Sequence, residues 1–161
     1  MAAATRDREV SSRTPGNLIP YSGASGYNYL VGCMTMRDIT GAIIRPMVQG
    51  AGASNARFLG INRNRVDLTA GLGSSQAILD IYKTGVFTLL ANGTGSSTDI
   101  GKVAYALDDQ TVGISIAAPC LAVGEITGFI DTSTYRVRID NFVGRLPGAL
   151  ELGISTSLNV N

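Results

Sequence analysis

The sequence predicts an all-β protein: a small β-barrel or β-sandwich domain with an extended N-terminal arm. Apolar residues make up 45% of the 161 residues and charged residues 16%, and there are twenty glycines. This composition favours short strands and tight turns. Apolar side chains alternate along short runs, and no apolar stripe of helical spacing extends over three turns. The length fits one domain with room for an extension.

Residues 1–26 form the predicted arm, because they contain too few large apolar side chains to build a core. A disordered tail and a segment that becomes ordered on a neighbour both fit this composition. The apolar patch at residues 18–21 favours the second reading, since a solvated tail gains nothing from grouping such side chains. The side chains expected to contact a partner are Arg6, Arg8, Arg13, Leu18, Ile19 and Tyr21.

Residues 27–143 form the predicted β domain. The first strand is expected to begin at Tyr27 and to end at the break near Arg37 and Asp38, with both faces apolar. Pro46 in the second strand favours an edge position, because proline donates no hydrogen bond to a neighbouring strand. Further strands are expected at residues 58–61, 77–82, 86–90, 103–106, 112–116, 124–130 and 135–139. A single helical turn could form at residues 118–123, and residues 144–161 could add a strand to this molecule or to a neighbour.

The residue types argue against catalysis and against a metal or cofactor site. The chain has no histidine, which removes the usual base of a nucleophilic triad and the commonest metal ligand. Asp108 and Asp109 are adjacent, but no calcium-loop array follows them, and most aspartates stand beside turn-forming residues. Cys33 and Cys120 lie far apart and are expected to be buried thiols. We therefore predict no enzyme activity, no cofactor and no metal.

Charge and targeting signals indicate a protein partner. Thirteen basic residues against twelve acidic ones give a net charge of +1, too little to select nucleic acid or an anionic membrane. Only Lys83 and Lys102 are lysines; arginine favours fixed protein interfaces, although compositional drift of the source genome explains the bias equally well. The first residues lack the apolar stretch of a signal peptide, and no run is long enough for a membrane helix. We expect the protein to be made and kept in the cytoplasm until it assembles.

Residues 99–112 carry the segments DIGK, AY and DDQTV in that order. The arginine-containing arm and YKTGVF from Tyr82 precede this block, and GEITGFID from Gly124 follows it. This series of segments resembles bacteriophage head decoration proteins, also called capsid cement proteins, and the resemblance covers residues 1–143. Residues 144–161 depart from the pattern. Within the block, we expect four residues to fix tight turns on either side of one strand: Asp99, Gly101, Asp108 and Asp109.

The resemblance implies a structural protein of the virion that binds the outer capsid surface, bridges neighbouring capsomers and stabilises the DNA-filled head. Its implied partners are the major capsid protein and further copies of itself, with a trimer expected first and a dimer second. The alternative is a β-rich receptor- or glycan-binding module of a phage fibre or spike. Glycan sites usually present aromatic platforms, and this chain has no tryptophan and 6% aromatic residues. A hydrolase is a third, weaker alternative.

Overall fold

The computed structural model describes residues 18–38, 43–48, 56–70, 78–114 and 120–140, and it confirms the all-β prediction. Within these ranges the regular structure consists of strands and one short 3-10 turn, Ser97–Asp99. The strands are β1 (Leu18–Ser22), β2 (Asn28–Tyr29), β3 (Met34–Asp38), β4 (Ile43–Pro46), β5 (Arg57–Asn62), β6 (Val66–Asp67), β7 (Ile78–Tyr82), β8 (Gly85–Ala91), β9 (Val103–Ala106), β10 (Thr111–Gly113), β11 (Leu121–Asp131) and β12 (Thr134–Ile139).

The strands form a closed barrel and two open sheets. The barrel contains five strands in the order β10-β8-β12-β11-β9, and it is antiparallel except where β10 meets β8. The larger open sheet also has five strands, in the order β1-β7-β5-β3-β4, all antiparallel. Strands β2 and β6 pair as a small two-stranded sheet. In the ranges described, the structure has no helix with the length and apolarity that crossing a membrane requires.

The larger hydrophobic core is shared by the barrel and one face of the five-stranded sheet. Phe87 and Val137 of the barrel belong to the same buried cluster as Met34, Met36 and Ile61 of the sheet. Each of these five side chains is at most 1% exposed. Because the cluster crosses the boundary between the two, neither the barrel nor the sheet buries its apolar residues alone.

A second core covers the opposite face of the five-stranded sheet. Leu79 and Ile81 of β7 are fully buried there, together with Tyr29 of β2 and Leu68, which follows β6. The five-stranded sheet is therefore a middle layer, with the barrel on one side and the β2–β6 pair on the other. This explains why its strands are apolar on both faces.

A β-bulge at Gly60 lets β5 serve both cores. The register of β3 against β5 shifts between Thr35 and Met36, which pair with Gly60 and Phe58. Leu59 is left between them and packs in the second core, whereas Phe58 contacts the first. Gly60 has φ of 145°, and a Cβ there would lie 2.1 Å from the Tyr82 carbonyl oxygen. Only glycine fits this position.

The strand predictions hold in most places and are wrong in two. Pro46 lies in β4, an edge strand, as predicted. The run beginning at Tyr27 is not one strand: β2 ends at Tyr29, Gly32 turns the chain with φ of 79°, and β3 then enters another sheet. The helical turn predicted at residues 118–123 is also wrong where it is described, since residues 121–123 lie in β11 and pair with β9. Residues 144–161 lie outside the described residues.

Candidate functional site

The apolar patch of the predicted arm forms strand β1 at the edge of the five-stranded sheet. It pairs along its whole length with β7, from Leu18 opposite Tyr82 to Ser22 opposite Ile78. Residues 18–22 therefore belong to the sheet of the β domain, although the sequence predicts them to lie in the arm that ends at Gly26. The physical reason is that β7 supplies a complete ladder of backbone partners and an apolar surface, neither of which composition reveals. Arg6, Arg8 and Arg13 lie outside the described residues.

The side chains of β1 divide between packing and exposure. Tyr21 packs against the second core, and Leu18 is partly buried. Ile19 is 38% exposed and Pro20 is exposed. Proline cannot donate a hydrogen bond, so its presence in an edge strand discourages pairing with another strand. β1 thus offers the apolar side chain of Ile19, rather than an open backbone edge, to a partner.

Lys83 joins β1 to the bulge in β5. Its ammonium group donates a hydrogen bond to the Leu59 carbonyl oxygen and lies 5.7 Å from the centre of the Tyr21 ring. No residue of β3 stands opposite Leu59 in the register, and the lysine gives the carbonyl oxygen of this bulged residue a hydrogen-bond donor. Burial lowers the pKa of Lys83 from its usual value, because desolvation disfavours the charged form. Sequence reasoning did not assign this role to Lys83, since no local pattern shows that Tyr21 and Leu59 meet there.

The predicted turn residue Asp99 is the centre of a buried hydrogen-bond network. Its carboxylate accepts hydrogen bonds from the Ser96 backbone N–H at 2.9 Å, from the Lys102 ammonium at 2.9 Å and from the Tyr135 hydroxyl. Asp99 and Tyr135 are 4% and 3% exposed. These bonds tie the loop before β9 to strand β12, and Gly101, with φ of 89°, completes the turn.

The network perturbs both titratable partners. The Tyr135 hydroxyl, followed by the Lys102 ammonium, holds the pKa of Asp99 below its usual value, because each hydrogen bond favours the carboxylate. Burial, followed by the bond to Asp99, raises the pKa of Tyr135. Asp99 is therefore a fixed anion and Tyr135 a fixed neutral donor at neutral pH. Such a pair holds a loop in place, and nothing in it provides a displaceable nucleophile.

Asp108 and Asp109 close the turn on the other side of β9. The Asp108 carboxylate accepts hydrogen bonds from the backbone N–H groups of Gln110 and Thr111, at 2.9 and 2.7 Å. The Asp109 carbonyl oxygen accepts one from the Met34 N–H at 2.6 Å. This last bond links the barrel to β3. The residues that carry the family resemblance thus surround one short strand and connect the barrel to the five-stranded sheet.

Tyr29 is a further anchor, which the sequence indicated only as an alternating apolar residue. Its hydroxyl donates to the Ile44 carbonyl oxygen at 2.6 Å, lies 3.1 Å from the Ala24 carbonyl oxygen, and accepts from the Ala24 N–H at 2.9 Å. These bonds fix the segment after β1 against β4. Burial raises the pKa of Tyr29 to about 12. Residues 24, 29 and 44 come together only in the folded structure, so no local sequence pattern indicates this contact.

Among the described residues, no group of three or more Cys, Asp or Glu side chains is arranged as metal ligands would be. Cys33 is buried, and burial raises the pKa of the Cys120 thiol. No protein-family model matches this chain, and no curated protein matches it. The resemblance to decoration proteins therefore remains a prediction, and the geometry defines the class more broadly: an all-β protein with candidate contact residues at the edge of a rigid sheet.

Proposed function

We propose that this protein is a decoration protein that binds the outer surface of a phage capsid, bridges neighbouring capsomers and stabilises the DNA-filled head. The observation that carries the proposal is the position of β1. An apolar strand at the sheet edge is fixed to the domain by β7, Lys83 and Tyr21, and it is directly preceded by the arginine-containing segment. A force on that segment would reach the two cores through a full strand ladder.

The mechanical requirement of a bridging protein supports the same proposal. A head filled with DNA is under outward load, and a bridge resists it only by holding two capsomers at once. The barrel and the five-stranded sheet share one core and supply the stiff body. The 17 residues before Leu18 could reach at most about 60 Å if fully extended. Several such segments on one trimer, or on a dimer, would combine weak contacts into strong retention.

The contacts proposed with the capsid surface involve β1 and the segment before it. Burying Ile19 on the head would contribute roughly 1.5–3 kcal/mol, and Arg6, Arg8 and Arg13 are expected to pair with carboxylates of the major capsid protein. Ordering the segment costs about 1–2 kcal/mol per residue in backbone entropy, so the surplus per copy is small. Retention on the head therefore depends on the number of copies that bind together.

The test is co-sedimentation with undecorated heads, using the full chain and two truncations. The variant lacking residues 1–17 keeps β1, and the variant lacking residues 1–22 loses it. We expect the full chain to sediment with heads. The variant lacking residues 1–17 should fold normally but bind heads at least tenfold more weakly than the full chain.

Two results would contradict the proposal, and a third would contradict only the role of the arm. A full chain that stays in the supernatant rules out head binding, and binding to host cells or glycans instead would favour the fibre or spike module. Equal binding of the full chain and the variant lacking residues 1–17 would leave decoration possible but would remove the arm from it, shifting attachment to the β domain or to residues 144–161.

A further inference from the structure

Two arginines stand directly opposite each other where β3 pairs with β5. The register places Arg37 across from Arg57, and both side chains are exposed. Side chains at opposed positions of antiparallel strands have Cβ atoms about 4.5–5.5 Å apart, and like charges there destabilise the pairing. In the free protein this pair is therefore unfavourable, unless an anion lies between the two guanidinium groups.

The described residues supply no such anion. Some basic side chains have carboxylate partners, as Arg45 has Asp38 at 3.1 Å, Lys102 has Asp99 at 2.9 Å and Arg138 has Glu125 at 2.5 Å. Neither Arg37 nor Arg57 forms an ion pair or a side-chain hydrogen bond with any part of the chain that the structure describes. Asp38 follows Arg37 directly, but successive residues of a strand face opposite sides, so its carboxylate lies on the other face of the sheet.

The pair lies beside a part of β5 that has no partner strand on its β7 side in the described ranges. β5 pairs with β7 only at Ile61 and Asn62, so the stretch that contains Arg57 has no strand beside it on that margin in the described ranges. Two residues along β5, the Lys83 ammonium binds the Leu59 carbonyl oxygen and adds a third positive charge near this margin. This margin of β5 therefore combines exposed arginine side chains with a local excess of positive charge.

We propose that Arg37 and Arg57 together bind a carboxylate-bearing segment of the protein on which this chain assembles. The inference rests on the proposed function, and it implies that the capsid protein contributes an acidic segment to the contact. Two planar guanidinium groups on neighbouring strands can each donate paired hydrogen bonds to carboxylates, and the bound acid removes their mutual repulsion. Nucleic acid is the less suitable occupant, because a net charge of +1 provides no extended track for a phosphate backbone.

The first experiment measures binding to undecorated heads. Arg37→Ala and Arg57→Ala should each weaken binding about fivefold or more, and the loss should shrink at high salt. Arg63→Ala is the matched control, because it removes the same charge from an exposed arginine outside the pair. Equal binding of all three variants and wild type would overturn the inference while leaving head binding intact.

The second experiment uses the free protein and separates this inference from the proposed function. Because the pair is repulsive, Arg57→Gln should raise the melting temperature by about 1–3 °C at low salt, and the rise should vanish in 1 M salt. Titration with a hexaglutamate peptide, followed by NMR, should shift the resonances of β3 and β5 in wild type and not in the Arg37→Ala, Arg57→Ala double variant. A lower melting temperature, or identical titrations, would overturn the inference whether or not the protein binds heads.

Discussion

Replacing Gly124 with alanine tests whether the barrel closes as described. Gly124 lies in β11, between the strands β9 and β12. A Cβ at this position would lie 2.2 Å from the Arg138 carbonyl oxygen and 2.9 Å from Val137 Cγ1. The first of these atoms belongs to the backbone of the neighbouring strand and cannot rotate away. The two strands would therefore have to separate by about 1 Å before carbon and oxygen reach van der Waals contact.

The expected cost follows from overpacking a well-filled site. Such insertions typically destabilise by about 1–3 kcal/mol, and contact with backbone places Gly124→Ala at the upper end. Alanine also reduces the entropy of the unfolded chain, which offsets about 0.4–1 kcal/mol. A net loss of about 2–3 kcal/mol corresponds to a decrease in melting temperature of roughly 4–12 °C for a chain of this size.

Gly128→Ala is the matched control in the same strand, against the same partner strand. There the nearest atoms are side-chain carbons of Arg136, at 3.3 Å and beyond. The nearest of these is Arg136 Cβ at 3.3 Å, about 1 Å farther than the backbone contact at Gly124, and Arg136 Cδ at 3.4 Å can rotate away. The strands therefore need to shift by only a few tenths of an ångström, and Gly128→Ala should stay within about 1 kcal/mol of wild type. Urea unfolding followed by far-ultraviolet circular dichroism, at one protein concentration, measures both. Equal destabilisation by the two substitutions would refute the described packing of β11 on β12.

Three further predictions concern the anchors of the fold. Tyr135→Phe removes a donor to Asp99 and should cost about 1–2 kcal/mol at pH 7. Since the pKa of Asp99 is lowered on folding, its stabilisation is fully present above the usual value of 3.8 and is lost as pH falls through the lowered pKa. Urea unfolding should therefore show the difference between the variant and wild type shrinking progressively as pH falls below 3.8. Tyr29→Phe should cost a similar amount below pH 10, whereas Tyr27→Phe, which removes a hydroxyl that has no hydrogen-bond partner among the described residues, should cost less. The pKa of Tyr29 is raised to about 12, so the stability that its hydroxyl contributes is complete below pH 10 and declines between pH 10 and 12. If the difference in unfolding free energy between Tyr29→Phe and wild type persisted unchanged at pH 12, it would contradict the role given to this hydroxyl. Finally, removing residues 1–17 should leave the melting temperature near that of the full chain. Removing residues 1–22 should lower it by several degrees, because β7 then loses a neighbouring strand. Equal melting temperatures of the two truncated variants would show that β1 does not stabilise the sheet.

The candidate site was predictable where it depends on local chemistry. Asp108 is followed by the backbone N–H groups that its carboxylate binds, and Asp131 accepts from Ser133 in the same way. An aspartate that precedes a short turn forms these bonds whatever the surrounding fold is. The role of Asp99 was predictable only in part, because its partner Tyr135 lies 36 residues further along the chain. Composition likewise marked residues 18–21 as a contact segment but could not show that β7 receives it.

The sequence by itself determined that this is a β protein, since alternating apolar residues and frequent glycines exclude long helices. It also determined where most strands lie and that Pro46 belongs at an edge. Only the tertiary structure decided that consecutive strands separate into a barrel and an open sheet, that β1 belongs to the domain, and that Arg37 faces Arg57. The physical reason is that alternation specifies which side of a strand is apolar but not which strand lies beside it. Strand pairing depends on bonds between distant residues. Here the bulge at Gly60, together with the hydrogen bond from Lys83 to the Leu59 carbonyl oxygen, sets part of the strand register.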